Sequence, residues 1–135
     1  MILLTAAQIL ERDDAQYEDV PVPEWGGSVR LRSLSGTERD AFAKSITRVT
    51  GKGKGEATEI ITEGMQAKLV ARSAVDDKGA RLFTDEQAEA LGKKSAAVLD
   101  RLFMAAQRLS ALTQDEVDKK AGESEPVPNS ASSTG

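Results

Sequence analysis

Val20-Pro21-Val22-Pro23-Glu24-Trp25-Gly26-Gly27-Ser28-Val29-Arg30-Leu31-Arg32-Ser33-Leu34-Ser35-Gly36-Thr37-Glu38-Arg39-Asp40-Ala41-Phe42 is the stretch that decides the fold. Val20 and Val22 alternate with Pro21 and Pro23, and Val29 and Leu31 alternate with Arg30 and Arg32. Period-2 patterns on either side of Trp25-Gly26-Gly27 predict a β-hairpin, with both glycines free to take positive φ. Proline donates no ladder hydrogen bond, so the first strand belongs at a sheet edge. Ser35-Gly36-Thr37-Glu38 has the spacing of a capping box and starts a helix. A two-stranded ribbon is not stable alone in water, so this one must rest on helices elsewhere in the chain. Trp25, the single tryptophan, is the expected anchor, with Phe42 behind it and Gly26 and Gly27 shaping the turn.

The fold class that follows is α+β and mostly helical: one hairpin near the N-terminus packed on a small helix bundle, with a disordered C-terminal tail. The chain has 135 residues, enough for one modest domain. Only 4% are aromatic, so the core must be built from Ala, Val, Leu and Ile, which favours helices that approach closely. Cysteine and histidine are both absent. That removes disulfides, thiolate chemistry and zinc sites with Cys or His ligands. It also removes the side chain best suited to proton transfer near neutrality. Met1-Ile2-Leu3-Leu4 lacks a basic leader and soon meets Glu11-Arg12-Asp13-Asp14, so it reads as neither signal peptide nor membrane span. The expected compartment is a cytoplasm.

Outward from the hairpin, Thr5-Ala6-Ala7-Gln8 is a capping box with Leu4 and Ile9 as its hydrophobic staple, predicting a short helix from Ala6 to Arg12. The helix opened by Ser35 is expected to reach Val49, since Phe42, Ile46 and Val49 share one helical face. Gly51-Lys52-Gly53-Lys54-Gly55 breaks it. A phosphate-binding loop needs a preceding strand and a Lys-Ser/Thr end, and this run has neither, so residues 51–57 read as a flexible linker.

A helix from Thr58 to Val75 comes next, with small residues Gly64, Ala67, Ala71 and Ala74 on one stripe and Met65 and Leu69 on the other side. Asp76-Asp77-Lys78-Gly79 is a turn, without the alternating oxygen ligands of a calcium loop. Thr84-Asp85-Glu86-Gln87 caps a short helix that stops near Gly92, with Phe83 and Ala88 as staple. The cleanest amphipath runs from Ser95 to Leu112 on Val98, Leu102, Ala105, Leu109 and Leu112, with Met104 on its polar face. Methionine adapts to varied surfaces, so an exposed Met104 is a hint of binding. Thr113-Gln114-Asp115-Glu116 caps a last helix that frays by Gly122, and residues 122–135 have no apolar periodicity.

No constellation of an active site is legible: the paired carboxylates Asp13-Asp14 and Asp76-Asp77 sit in turns, and no hydroxyl stands in a nucleophile elbow. No catalytic residue, cofactor-binding residue or metal ligand is assigned. The one charge asymmetry is a basic stretch, Arg30, Arg32, Arg39, Lys44, Arg48, Lys52 and Lys54, opposed within it only by Glu38 and Asp40. It reads as solvated surface, as a contact for an acidic protein, or as a phosphate-tracking strip that lacks interleaved aromatics for base stacking.

Val22-Pro23-Glu24-Trp25-Gly26-Gly27-Ser28-Val29-Arg30-Leu31-Arg32-Ser33-Leu34-Ser35-Gly36-Thr37-Glu38-Arg39-Asp40 resembles the tail assembly chaperones of long-tailed (siphovirus-type) bacteriophages. Leu69-Val70-Ala71-Arg72-Ser73-Ala74-Val75-Asp76 through Gly79 with Leu82-Phe83-Thr84-Asp85 carries the same likeness. So does Leu91-Gly92-Lys93-Lys94-Ser95 with Leu99-Asp100-Arg101-Leu102 and Ala106-Gln107-Arg108-Leu109. The resemblance covers roughly residues 3–120 and implies a chaperone-like domain over residues 1–121.

It also implies a non-enzymatic late protein of virion assembly, working in the bacterial host cytoplasm and not expected in the mature virion. The implied partners are the tape-measure protein, which it keeps soluble, and the tail-tube protein, whose polymerisation it promotes. Itself, or a frameshift-extended form encoded through Lys119-Lys120, is a further partner; nucleic acid and membrane are not. Laying an amphipathic face along a helical rod suits such a role. The expected contact residues are Arg30, Arg32, Met65, Leu69 and Met104. The alternatives are a small nucleic-acid-binding regulator using the basic 30–54 segment, or a minor structural tail or head–tail subunit.

Overall fold

The computed structural model describes residues 2–51, 55 and 57–111. The hairpin forms as expected: β1 (Tyr17–Val22) and β2 (Gly27–Arg32) pair antiparallel, with Val20 opposite Val29 and Val22 opposite Gly27. Pro23–Trp25 make a single 3-10 turn, and Gly26 closes it at φ +80. That left-handed conformation carries no steric penalty for glycine alone. Gly27 is already strand, so only one of the two glycines is needed for its conformational freedom. β1 is an edge strand, as Pro21 requires, because β2 is flanked on its other side by a two-residue strand, β5 (Ala74–Val75).

Five helices accompany the strands among the described residues: α1 (Ala6–Glu11), α2 (Gly36–Ser45), α3 (Met65–Ser73), α4 (Ala88–Leu91) and α5 (Ala96–Ser110). The chain is therefore α+β and mostly helical. Each expected capping box in this range forms: Thr5 with Gln8, Ser35 with Glu38, and Thr84 with Gln87. The box at Thr113, the tail from 122 and Leu112 lie outside the described residues, as do Lys52, Gly53, Lys54 and Glu56 of the expected linker.

α3 and α5 pack on each other and on the inner face of the sheet. Val20, Val22 and Leu31 from the sheet meet Leu69, Val70 and Ala71 of α3, and Val98, Leu102 and Ala106 of α5. Alanines at 67, 71, 105 and 106 keep the buried side chains small, which is how so few aromatics close a core. α2 adds Phe42, which is buried as expected, and α4 adds Ala88 and Leu91.

Two expectations fail between residues 45 and 64. The helix α2 stops at Ser45 rather than Val49, and α3 starts at Met65 rather than Thr58. The intervening chain holds a second hairpin, β3 (Thr47–Thr50) and β4 (Ala57–Ile60), so that of the expected 51–57 linker only its last residue, Ala57, is strand. Side chains break the helix: Ser45 Oγ–H donates to the Phe42 carbonyl at 2.6 Å, and Thr47 Oγ1–H to the Ala43 carbonyl at 2.6 Å. Both occupy acceptors at the helix end, as hydroxyl side chains do when they compete with backbone. The β-branched pairs Thr47 opposite Ile60 and Val49 opposite Thr58 then favour a ladder.

The turn at Asp76–Gly79 forms as expected. Asp76 Oδ1 accepts from the Lys78 and Ala80 amides at 2.8 and 3.0 Å, and these bonds, that from Ala80 foremost, hold its carboxyl below the usual carboxylate range. Arg81 then pairs back to Val75 and donates to the Ala71 carbonyl, covering the C-terminal end of α3.

Candidate protein-binding surface

Trp25 decides where the surface lies. A residue in a 3-10 turn between two strands has no sheet face to pack into. Trp25 instead lines, with Phe83, Gln87, Ala90, Leu91 and Lys94, an open cleft of about 340 Å³. The ring stays 40% exposed. The expectation that Trp25 is a buried anchor is thus corrected: the core is closed beneath the hairpin by Val20, Val22 and Leu31 instead.

α5 fixes the turn that carries Trp25. Arg101 Nη1 and Nη2 donate to the two carboxylate oxygens of Glu24 at 2.9 and 2.8 Å, and Nη1 reaches the Pro21 carbonyl at 3.4 Å. Paired hydrogen bonds of this geometry fix orientation as well as distance. They hold the Glu24 carboxyl down, from 4.5 to about 2, with a smaller contribution from its own backbone amide. Two turns further on, Arg108 donates to Glu18 at 2.7 Å. Met104 lies between these arginines on the same helical face and is 56% exposed, as expected from its place on the polar side.

The other expected contact residues are scattered. Leu69 is 0% exposed, enclosed in the core cluster, so it cannot touch a partner. That expectation is corrected. Met65 is half-buried against the core. Arg30 pairs with Asp19 at 2.7 Å, which holds the Asp19 carboxyl below its ordinary value. Arg32 is half-buried, donating to Glu38 at 3.1 Å and to the Gly79 carbonyl at 3.0 Å. Arg48 faces Glu59 across the second hairpin at 2.8 Å. Three bases of the basic stretch are therefore spent on carboxylates of the same molecule.

The cleft itself was missed in the sequence. Phe83 was legible as a staple residue, but Ala90, Leu91 and Lys94 gave no sign of converging with Trp25 from so far along the chain. A second apolar surface is α1, which has no buried residue; Leu4 and Ile9, expected to staple it, are 57% and 55% exposed. Among the described residues no group of His, Cys, Asp or Glu could hold a metal ion, and no helix is long and apolar enough to cross a membrane. What the surface offers is an aromatic ring, apolar side chains and a lysine.

The profile of the phage tail assembly chaperones matches residues 6–120. The solved structure of the bacteriophage HK97 tail assembly chaperone is similar in fold, with 21% identity and a TM-score of 0.51 over 70% of this chain and 85% of that one. No curated protein matches the chain significantly. The profile takes in both hairpins, the cleft and all of α5, and the chain belongs to the phage tail assembly chaperone family.

Proposed function

We propose that this chain binds the tape-measure protein of its phage in the host cytoplasm, keeps it soluble, and leaves it as tail-tube subunits polymerise around it. The supporting observation is Trp25: a tryptophan held half in water above an apolar cleft, on a turn clamped by Arg101. Exposed aromatic rings over a pre-formed cleft are what binding hot spots are made of. The cleft takes one large apolar side chain from an amphipathic helix of the partner, with an acidic neighbour directed to Lys94. One such cleft per copy gives a weak contact, and many copies along a rod give avidity that tube subunits can displace step by step.

Co-expression tests it. The tape-measure protein should partition into the soluble fraction with the wild-type chain and not with Trp25→Ala. If the wild-type chain leaves the tape-measure protein insoluble, the proposal fails.

A further inference from the structure

We propose that residues 74–83 form a hinged strap that opens from the sheet at Ser73 and carries Phe83 away from Trp25, so that the cleft is complete only while the strap is closed.

The hinge is marked by a buried polar group left without a partner. Two polar residues are buried among the described residues, Ser73 and Ser110. Ser110 Oγ accepts the Leu34 N–H at 2.9 Å. Ser73 is fully enclosed, and its Oγ has no hydrogen-bond partner among the described residues. An unpaired buried hydroxyl opposes the closed state, and that opposition ends when water reaches it. Ser73 is the last residue of α3, and the next residue, Ala74, is already extended and begins β5. Helix passes into strand with no linker, so a movement of β5 away from the sheet turns at Ser73.

The strap beyond the hinge is lightly held. It runs out along β5, turns at Asp76–Gly79 and comes back. The Leu82 amide donates to the Ala74 carbonyl at 2.9 Å, and the Asp76 amide to the Ala80 carbonyl at 2.8 Å. Its ladder to β2 has two residue pairs, Arg30 with Val75 and Leu31 with Ala74, where β1 meets β2 over six. Val75 is buried but stands apart from the main core cluster. Two arginines supply further ties: Arg32 donates to the Gly79 carbonyl at 3.0 Å, and Arg81 to the Ala71 carbonyl at 3.1 Å. A short ladder outside the main core marks a segment that opens more easily than the whole domain unfolds. Freed from the sheet, a hairpin this short does not keep its own bonds in water, so the Asp76 and Leu82 amides report the opening.

Phe83 joins the strap to the cleft. It follows the returning limb directly, packs at the margin of the core and lines the cleft with Trp25. Opening removes one wall of the cleft, and a ligand seated there holds the strap shut. The opening stands independently of the tape-measure proposal; its use as a gate on that partner rests on it.

Hydrogen exchange and relaxation dispersion on the full chain test the strap. The Asp76 and Leu82 amides should exchange at least about tenfold faster than the Leu102 and Ala106 amides within α5. Ser73→Ala removes the unpaired hydroxyl and should slow exchange at Asp76 and Leu82 about tenfold. Dispersion at the Trp25 indole N–H, the only indole in the chain, should share one rate with those two amides and shrink in Ser73→Ala. Asp76 and Leu82 amides as slow as those of α5 would overturn the strap, since the whole domain would then open at once. Slowing in Ser73→Ala confined to the α5 amides would overturn the hinge, because the hydroxyl would stay buried as the strap opens. A Trp25 indole without dispersion at the strap's rate would overturn the link to the cleft. None of these measurements uses the tape-measure protein, so their failure leaves the co-expression result standing.

Discussion

Arg101 of α5 and Glu24 of the hairpin turn are joined by two hydrogen bonds, 2.9 and 2.8 Å long, although 77 residues separate them. This pair sets the turn that carries Trp25 against α5, the helix that buries the most apolar residues. The Trp25 cleft is therefore positioned by a helix that also builds the core.

Acid should loosen that joint. The Glu24 carboxyl sits at about 2 in the folded chain against 4.5 ordinarily, so its charged form is favoured by folding. Such a group contributes stability in full above its unfolded value and loses it as pH falls through its folded one. Between pH 4.5 and 2 the melting temperature of the wild type should therefore fall more steeply than that of Glu24→Gln. Thermal melts across that range check it.

Gly26 and Gly27 should respond differently to alanine. Neither position has a neighbouring atom within 4 Å of an added Cβ, but Gly26 stands at φ +80. Gly26→Ala should cost about 1–2 kcal/mol from backbone strain alone. Gly27→Ala, in an ordinary strand conformation, should stay within about 0.5 kcal/mol of wild type. Denaturant titrations resolve the two.

Leu69 and Met104 were expected to share a surface and should behave as opposites. Leu69→Ala empties a fully enclosed position and should destabilise the fold by about 2–5 kcal/mol. Met104→Ala, more than half exposed, should change stability by less than about 0.5 kcal/mol. Any loss of partner binding by Met104→Ala would then be a contact effect.

The first hairpin, its edge strand and three helix starts were legible because each rests on local chemistry: prolines that cannot donate, a glycine turn, and Ser or Thr three residues before Glu or Gln. The amphipathic face of α5 was legible from spacing, with Val98, Leu102 and Ala105 all buried. The second hairpin was missed because Phe42, Ile46 and Val49 continue a helical period straight through the break. The β-branched run Thr47, Val49, Thr50 and its counterpart Thr58, Ile60, Ile61 carried the contrary signal. Strand β5 is two residues long, too short to show any period. The cleft depends on where a turn residue meets α4, which tertiary packing alone decides. Trp25 was expected to be a buried anchor and is 40% exposed: it sits in the turn between the strands, outside the core.

Trp25→Ala should accordingly be mild for stability, about 1–2 kcal/mol, below the cost of removing a fully buried tryptophan. Its circular dichroism should be that of the wild type at ordinary temperature. A collapse of the fold in this variant would mean that the ring is structural after all.

The most direct measurement pairs that variant with the partner: the soluble yield of the phage's tape-measure protein co-expressed with wild-type chain, Trp25→Ala, or no chaperone. The account predicts high soluble yield with the wild type and yields with Trp25→Ala close to those without chaperone, while the variant itself stays folded and soluble. Equal rescue by the wild type and Trp25→Ala would contradict the assignment of the cleft, and no rescue by either would contradict the tape-measure function itself.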